Sequence, residues 1–321
     1  MSILIYAESQ NGKVAKSAKE LASYAKAYAD KTGQEVFAVG AGLEDAGELF
    51  KYGVNKVLTV ENETLKQFNA FAHAQMVADA ARKNDANLVL ISSSNDAVYM
   101  GPVLADLLDA GYVSQVISLP EESDTFIVKR KVFSNKGIAY TEVLTDNKLL
   151  RIAKNSFGVI EKPVEGTLEK FEPEVDLSVY DEYKVVKVDK ATGKISLSDA
   201  DIVVSAGRGL KGPENWGMIE ELADVLGAAT ACSKPVADLG WRPHQEHVGQ
   251  TGKQIAPNLY IAVGISGAIQ HLAGVNGSKN MVVINNDPEA PFFKAADYGV
   301  VGDAFEVVPK LIEKIKAFKK Q

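Results

Sequence analysis

Apolar and polar positions alternate between two periods in the first half of the chain. Short apolar runs typical of buried strands are separated by longer stretches in which apolar residues recur every three or four positions, as on amphipathic helices. The runs predict strands at residues 3–7, 35–39, 56–60 and 88–92, and the periodic stretches predict helices at 13–31, 64–82 and 98–109. This alternation predicts a parallel sheet with helices on its faces.

Between residues 113 and 154 the pattern changes to short β-rich segments. Two of them, Thr125–Arg130 and Gly137–Val143, predict antiparallel strands added to the sheet. Residues 161–182 are rich in Pro, Glu, Val and Asp and have no clear period, which predicts an exposed connection.

A second α/β pattern begins near Asp201. It predicts strands at residues 201–205, 228–232, 259–263 and 281–284, a helix at 214–226 and an amphipathic helix at 305–320. We therefore expect two α/β domains. Residues 1–190 would form a nucleotide-binding-like domain with a parallel sheet and added antiparallel strands, and residues 191–321 a Rossmann-like domain.

The composition narrows the classes of function. The chain has 321 residues, of which 46% are hydrophobic, enough for two domains with separate cores. A formal net charge of −7 argues against nucleic acid as a partner, because phosphate binding needs clustered Lys and Arg. No apolar run is long enough to predict a membrane-spanning helix. The strand-like N-terminus predicts no signal peptide, and a cytoplasmic location is expected.

Cysteine and histidine usage predicts no metal site. Cys232 is the single cysteine, which excludes an internal disulfide. Among the four histidines only His244 and His247 are close in sequence, and they lie in a polar loop segment. No Ser-His-Asp arrangement is visible either, so we predict no catalytic residues.

The segment GRGLKG, residues 207–212, matches the G-x-G-x-x-G pattern between a predicted strand and a predicted helix. Such glycines allow a tight turn and bring backbone amides close to a pyrophosphate, which Arg208 would also reach. The preceding strand is not the first of the chain, however, and no acidic residue about twenty positions later ends a second strand to hold a ribose. A turn that only joins strand and helix is an equally good interpretation.

A second loop, VGQTGK at residues 248–253, lacks the spacing of a nucleotide-hydrolysing loop. Two residues separate its glycines where that loop has four, and Gln254 follows the lysine. Gln250 and Thr251 still offer donors and acceptors between two flexible glycines. The alternative is a surface turn without a ligand.

The segment GISGAIQHLAG, residues 264–274, joins a predicted buried strand to a predicted helix. The amides of residues 266–268 would lie at the positive end of that helix, where small residues let a phosphate come close. Gln270 and His271 would stand one turn further in, beside the same space. For a lone histidine, a half-buried ring satisfied within the protein is the alternative.

Several segments of the C-terminal third occur together and in a fixed order over roughly residues 200–310. They are VVSAGRGLKGPENW, CSKPVADLGW, VGQTGK, LYIAVGISGAIQHLAG and VVINNDPEAPFFKAADYGVVGDAFEVVP. In sequence and spacing they resemble the α subunit of electron transfer flavoproteins. The N-terminal half resembles this family more loosely, in length and α/β pattern.

This resemblance implies a heterodimer with a smaller β subunit, residues 1–190 contributing to the subunit interface, and one FAD bound mostly by the C-terminal domain. Proteins of the family carry electrons from dehydrogenases, such as the acyl-CoA dehydrogenases of fatty acid β-oxidation, to a quinone-linked or other acceptor. The flavin does the redox chemistry, and the protein positions and tunes it. Some members hold a second FAD in β and bifurcate electrons; otherwise the protein is a carrier without a substrate of its own.

The resemblance also implies a set of FAD-binding residues. They are Arg208, Ser233, Lys234, Val248, Gly249, Gln250, Thr251, Ser266, Gly267, Ala268, Ile269, Gln270, His271, Asn285 and Asp303. Arg208 would contact the cofactor, and Ser233 would hold it near its ring and phosphate arm. Gln250 and Thr251 would reach the polar edge of the flavin ring, with Thr251 near N5.

The remaining implied roles concern the two ends of the cofactor. Residues 266–270 would hold the pyrophosphate, and His271 would hydrogen-bond the pyrimidine edge of the flavin. Asn285 and Asp303 would hold the adenosine end. For these last two, turn chemistry is the alternative, since both lie in loops rich in Gly, Asn or Pro.

Lys234 departs from the family pattern, in which an arginine follows the serine. A lysine cannot stack on a ring as a planar group. We therefore expect the one-electron-reduced flavin to be less stabilised than is typical of the family, unless Lys234 merely faces solvent.

Two other functions compete with the carrier. An NAD-dependent oxidoreductase would use GRGLKG for its nicotinamide cofactor, but His271 would be its single acid–base candidate. A regulatory protein that binds a nucleotide without redox turnover is the third interpretation.

Overall fold

The computed structural model describes residues 2–121, 125–133, 135–180, 197 and 200–319. They form two compact units, the first containing nearly all described residues up to 180 and the second those from 197 onward. The predicted domain boundary at residues 190 and 191 lies outside the described residues.

A mixed sheet forms the centre of the first unit. The described elements in chain order are β1 (Ser2–Tyr6), the small hairpin β2 (Ser9–Gln10) and β3 (Lys13–Val14), α1 (Lys16–Thr32), β4 (Glu35–Ala41), β5 (Lys56–Val60), α2 (Ala70–Lys83), β6 (Ala86–Ile91), α3 (Asn95–Leu107), β7 (Gly111–Val116), β8 (Ile127–Val132), β9 (Gly137–Glu142), β10 (Lys148–Ile152) and β11 (Thr167–Lys170). The nine strands of the sheet are hydrogen-bonded in the order β11-β5-β4-β1-β6-β10-β7-β8-β9.

Helices cover both faces of this sheet. Helix α1 and a short 3-10 helix, Ala46–Tyr52, pack on one face, and α2 and α3 pack on the other. All five residues of β1 are buried, which explains its unbroken apolar run, since a central parallel strand is enclosed on both faces. Helix α1 ends at Gly33, whose left-handed conformation (φ 71°) lets its N–H donate to the Ala29 carbonyl.

The sequence predicted most of the first unit, with two corrections. The helix predicted at 64–82 is interrupted, because the Asn69 side chain accepts hydrogen bonds from the backbone of Phe71 and Ala72 and caps a new helix. Residues 161–182 are not only a connection, because β11 pairs in parallel with β5. The antiparallel strands predicted after residue 113 are confirmed as β8 and β9.

The second unit is built on a five-stranded parallel sheet. Its elements are β12 (Ile202–Ala206), α4 (Gly217–Leu226), β13 (Ala229–Cys232), α5 (Lys234–Asp238), β14 (Leu259–Val263), α6 (Ile269–Val275), β15 (Asn280–Asn285), β16 (Tyr298–Val301) and α7 (Ala304–Phe318). The strand order is β13-β12-β14-β15-β16. Helices α4 and α7 cover one face; α6 and the chain around Val248, Ile255 and Phe292 cover the other.

The predicted fold class is confirmed in both units. In the second, the strand order 2-1-3-4-5 is that of a doubly wound sheet whose order reverses between β12 and β14. The predicted tail helix corresponds to α7, although Lys320 lies outside the described residues. None of the helices in the described part of the chain is both long and apolar enough to cross a membrane.

Candidate cofactor site at the carboxyl edge of the second sheet

Two glycine-rich loops meet where the strand order of the second sheet reverses. Gly207 follows β12 and donates to the Val263 carbonyl at 2.9 Å, and Gly209 donates to the Gly264 carbonyl at 3.1 Å. A Cβ atom on Gly209 would lie 2.7 Å from the Cα of Gly264, so only glycine lets these backbones approach. In open α/β sheets this crevice is where ligands bind.

The GRGLKG motif does not form the helix start that a dinucleotide fingerprint requires. Residues 208–210 are a 3-10 turn, a second one spans Pro213–Trp216, and α4 begins only at Gly217. Two glycines of the motif, Gly207 and Gly209, therefore serve the contact between the two loops. Arg208 stands exposed on the first turn, at the rim of the crevice.

The loop after β14 presents backbone donors. Gly264 and Gly267 have positive φ angles of 60° and 83°, and a Cβ on Gly267 would lie 2.5 Å from the Phe292 backbone nitrogen. The structure describes no acceptor for the N–H groups of residues 266–268. Because α6 has only seven residues, these free amides, rather than a long helix dipole, are what the loop offers an anion.

His271, on α6, is buried against two aromatic rings. Its Nε2 lies 2.8 Å from the Tyr260 hydroxyl, and its ring centroid is 6.0 Å from that of Phe292. Burial lowers the pKa of His271 to about 4; the charge of His247 acts in the same direction, and the Val248 backbone opposes it. The ring is therefore neutral at neutral pH.

The second nitrogen of this ring, Nδ1, lacks a well-oriented hydrogen bond among the described residues, although the Val248 backbone acts to raise the pKa of the ring. Nδ1 of His271 is buried and makes no hydrogen bond of acceptable geometry to any described residue. An unpaired buried polar atom costs about 1–3 kcal/mol, so such atoms are rare unless a ligand or water completes them. The alternative of a histidine satisfied within the protein therefore holds for Nε2 only.

The VGQTGK loop lies directly beside α6. The N–H of Gln250 donates to the Gln270 carbonyl at 2.7 Å, and the N–H of Val248 donates to the Cys232 carbonyl at 3.0 Å. Gly274 permits this approach, since a Cβ there would lie 2.5 Å from the Cα of Gly249. The exposed side chains of Gln250 and Thr251 are thus brought next to the loop after β14.

Ser233 and Lys234 follow β13 at the same edge of the sheet. Ser233 is buried, and its N–H donates to the Ala206 carbonyl at 3.1 Å, which fixes the end of β13 against β12. Lys234 is exposed and begins α5.

Asn285 and Asp303 have local partners. Asn285 is buried; its side chain donates to the Ile265 carbonyl at 3.0 Å and accepts from the Asp287 N–H at 3.0 Å. Asp303 caps α7 by accepting from the Phe305 N–H at 2.9 Å. Both therefore perform the turn chemistry that was the alternative, and their contact with an adenosine remains a prediction.

Sequence reasoning did not identify Tyr260 and Phe292 as parts of the site. Their rings stack at an interplanar angle of 13°, and Tyr260 orients His271. Burial raises the pKa of Tyr260, so its hydroxyl keeps its proton. The available signal was weak: a tyrosine inside the apolar run of β14 looks like an ordinary core residue.

The residues present fit a flavin dinucleotide. Loops after all five strands contribute to one edge, where glycines make room. Among the described residues, the amides of residues 266–268 have no acceptor and the buried Nδ1 of His271 has no well-oriented hydrogen bond. A phosphate-bearing ligand with a polar ring edge would satisfy both kinds of group.

Comparison with known proteins identifies the family. A family model described as "Electron transfer flavoprotein domain" matches residues 3–176, and one described as "Electron transfer flavoprotein FAD-binding domain" matches residues 196–276. The electron transfer flavoprotein subunit alpha of Syntrophomonas wolfei is 38% identical, and the match covers 97% of this chain and 98% of that protein. The chain belongs to the electron transfer flavoprotein α-subunit family.

Other relatives of this family are similar over nearly their whole length. The α subunit of Paracoccus denitrificans is 38% identical, and the match covers 98% of this chain and 100% of that protein. A protein named FixB from Clostridium saccharobutylicum is 33% identical, with 98% and 96% covered.

The family assigns FAD as the cofactor of the second unit of this electron transfer flavoprotein subunit. The matched FAD-binding region includes every predicted residue from Arg208 to His271, and Asn285 and Asp303 lie beyond it. The two residues outside the match are those whose side chains have local partners in the structure.

Proposed function

We propose that this chain is the α subunit of a heterodimeric electron transfer flavoprotein, acting as a carrier without a substrate of its own. It would accept electrons from dehydrogenases, such as acyl-CoA dehydrogenases, and pass them to a quinone-linked or other acceptor. FAD held at the carboxyl edge of the second sheet would supply the reversible redox chemistry. The cytoplasm is the proposed compartment.

The unpartnered Nδ1 of His271 carries this proposal. With Tyr260 donating its hydroxyl proton to Nε2, Nδ1 carries the proton of the neutral ring and has a hydrogen bond to give. We assign that bond to the polar pyrimidine edge of the flavin. A donor there favours negative charge on the ring, because a hydrogen bond to the charged form stabilises it.

Other residues of the edge position the cofactor. The free N–H groups of residues 266–268 are assigned to the pyrophosphate, and exposed Arg208 and Lys234 supply positive charge at the rim. Gln250 and Thr251 are assigned to the polar edge of the ring. Asn285 and Asp303 complete the proposed set at the adenosine end.

Pairing with a β subunit is supported by the names of the relatives, which are α subunits. We assign residues 1–190 to a domain that takes part in the subunit interface and residues 191–321 to the FAD-binding domain. The NAD-dependent and regulatory alternatives are not favoured, because the family models and relatives agree on a flavoprotein.

The test is to purify the tagged chain from its own source with whatever accompanies it and to record the visible spectrum. Flavin bands with a smaller co-purifying subunit are expected. A colourless but intact heterodimer would contradict the cofactor assignment. The flavin-to-dimer ratio measures whether the partner holds a second FAD, as a bifurcating complex would require.

The residue assignment has its own test. His271→Leu removes the hydrogen-bond donor and replaces the imidazole with an apolar side chain of similar volume. FAD affinity should therefore fall by about tenfold, the equivalent of about 1.4 kcal/mol. The matched control is His244→Gln, an exposed histidine outside the set. Equal FAD affinity in His271→Leu and wild type would remove His271 from the site.

A further inference from the structure

Arg242 forms a compact ion cluster in the second unit. Its Nε and Nη2 donate to the two carboxylate oxygens of Glu246 at 2.8 and 2.7 Å, and its Nη1 donates to Glu220 at 3.0 Å. The guanidinium also lies 5.3 Å from the ring centroid of Trp216. We call these four residues the Arg242 cluster. All four donor and stacking contacts depend on a planar fork that only arginine provides.

The cluster joins two chain segments that lead to the candidate site. Trp216 and Glu220 belong to the turn and helix that follow the loop after β12. Glu246 ends a 3-10 turn, His244–Glu246, and stands two residues before Val248. Arg242 thus ties the start of the VGQTGK loop to the segment that carries GRGLKG.

The chain beyond Glu246 has little freedom to absorb a displacement. The His247 ring is buried, and a Cβ on Gly252 would lie 2.8 Å from its Nδ1. Val248 is bonded to Cys232, and the Gln250 N–H to the Gln270 carbonyl, as described above. A shift at Glu246 is therefore passed to Gln250 and Thr251, because the loop between them is packed and hydrogen-bonded.

Burial makes this cluster different from a surface ion pair. The side chains of Arg242 and Glu246 are 14% and 13% exposed, so removal of either charge breaks their ion pair and leaves the other charge largely desolvated. Lys316 and Glu221, in the same unit, form an ion pair of 2.6 Å with side chains 50% and 52% exposed. Water screens that pair, which makes it a matched control.

From this geometry we infer that Arg242 is a positioning residue for FAD. It holds the VGQTGK loop in the place where Gln250 and Thr251 meet the flavin, although it does not touch the cofactor itself. The inference rests on the proposed function and adds a residue that lies outside the predicted binding set.

The experiment uses the full chain in complex with its partner subunit. The variants are Arg242→Gln, Arg242→Lys and Glu246→Gln, with Lys316→Gln as control. FAD dissociation constants are measured by titrating FAD into the apo complex and following flavin fluorescence. The midpoint potential of each complex is then measured at full FAD occupancy, and the melting temperature of each apo complex is recorded.

Arg242→Gln should raise the FAD dissociation constant by about tenfold or more, because Glu246 loses its two hydrogen bonds to the guanidinium and the loop shifts. Arg242→Lys should fall between this variant and wild type, since it keeps the charge and loses the fork. Lys316→Gln should stay within about twofold of wild type. At full occupancy the midpoint potential should move in Arg242→Gln and not in Lys316→Gln.

The potential separates positioning from simple stability. A purely structural role would lower the melting temperature or the occupancy and leave the potential of the bound FAD at its wild-type value, which would overturn the inference. If Arg242→Gln does not assemble, Glu246→Gln decides: it keeps the shape of the side chain, and wild-type affinity and potential would overturn the inference. A wild-type complex without FAD would instead contradict the proposed function.

Discussion

The two units finish the carboxyl edges of their sheets in opposite ways. In the first unit the strand order reverses between β1 and β6, and the Glu8 carboxylate sits at that point. It accepts hydrogen bonds from the hydroxyls of Ser17 at 3.0 Å, Ser92 at 2.6 Å and Ser94. In the second unit the order reverses between β12 and β14, where glycines line the crevice and one imidazole nitrogen makes no well-oriented hydrogen bond to a described residue.

This difference shows why architecture alone does not give function. Both edges satisfy the rule for ligand binding in open α/β sheets, but the first is completed by side chains of the protein itself. Glu20 is another buried carboxylate of the first unit whose hydrogen bonds come from the protein itself. It accepts from the backbone N–H groups of Asn155, Phe157 and Gly158, each at 3.0 Å. At the second edge the amides of residues 266–268 and Nδ1 of His271 make no such bonds within the described part of the chain, and we propose that FAD completes them.

The largest effect is expected from a glycine in the candidate site. In Gly267→Ala the new methyl group would meet the Phe292 backbone at a residue whose φ is already positive, so we expect a loss of about 3 kcal/mol or more and no FAD binding. The matched control is Gly33→Ala at the end of α1, also with positive φ but with no atom within 4 Å of the added Cβ.

Gly33→Ala should cost about 1 kcal/mol and keep FAD binding. Chemical denaturation, with hydrogen exchange as the readout for each unit, measures the free energy of unfolding of both variants. FAD titration measures their affinity for the cofactor. Equal losses in the two variants would show that the crowding at Gly267 has no consequence.

The next effect concerns the carboxyl edge of the first sheet, and it tests whether the hydrogen bonds to Glu8 stabilise the first unit. Glu8→Ala leaves three serine hydroxyls without their shared acceptor, so the first unit should lose about 2–3 kcal/mol. FAD affinity should not change, because Glu8 belongs to the unit that binds no cofactor in this proposal. Hydrogen exchange of β1 and β6 measures the loss, and a changed FAD affinity would count against the contrast between the edges.

The helices and strands could be predicted from the sequence wherever burial requires a regular spacing of apolar residues. Strands β1 and β14 were visible because buried parallel strands are continuous apolar runs. Strand β11 was not, since all four of its residues are exposed and backbone pairing with β5 alone makes it a strand. The break before α2 depends on one asparagine cap inside a helical pattern.

The individual loops of the candidate site could be predicted from the sequence, but their arrangement around one crevice could not. Each glycine loop had a recognisable pattern, but their convergence depends on strand order, which the sequence does not state. Tyr260 contacts His271 across the loop between β14 and α6, and Arg242 contacts Glu246 nearby and Glu220 on α4, so each contact depends on how the elements pack and not on a recognisable local motif. Asn285 and Asp303 show the reverse case, because family resemblance proposes a ligand where local geometry already supplies a partner.

A third prediction uses one buried histidine in each unit. His73 and His271 both have pKa values lowered to about 4 by burial. Nδ1 of His73 lies 2.9 Å from the Asn69 carbonyl, whereas Nδ1 of His271 makes no well-oriented hydrogen bond in the described part of the chain. Between pH 6.5 and 4 the unfolded chain binds more protons than the folded one, so stability falls as pH falls, by up to about 1.4 kcal/mol per pH unit for each histidine.

FAD should change this pH dependence in the second unit only. Hydrogen exchange of both units at several pH values, with and without FAD, measures it. His73→Gln should flatten the profile of the first unit and leave that of the second intact. An equal effect of FAD on the pH profile of the first unit would contradict this prediction, because His73 already has a hydrogen-bond partner and should not respond to the cofactor.

The smallest effect is expected at Lys234, where the change leaves the charge in place. Lys234→Arg exchanges one exposed cation for another, so stability should change by less than about 0.5 kcal/mol and FAD affinity little. The planar guanidinium can stack on a flavin ring, so a reductive titration followed by visible absorbance should show more one-electron-reduced flavin in the variant than in wild type. Near-stoichiometric one-electron reduction in wild type would contradict the expectation, because Lys234 would then stabilise the one-electron-reduced flavin as well as an arginine. Identical titrations of the two proteins would show that residue 234 faces solvent in the complex, and the functional part of the second edge would be confined to the glycine loops and His271.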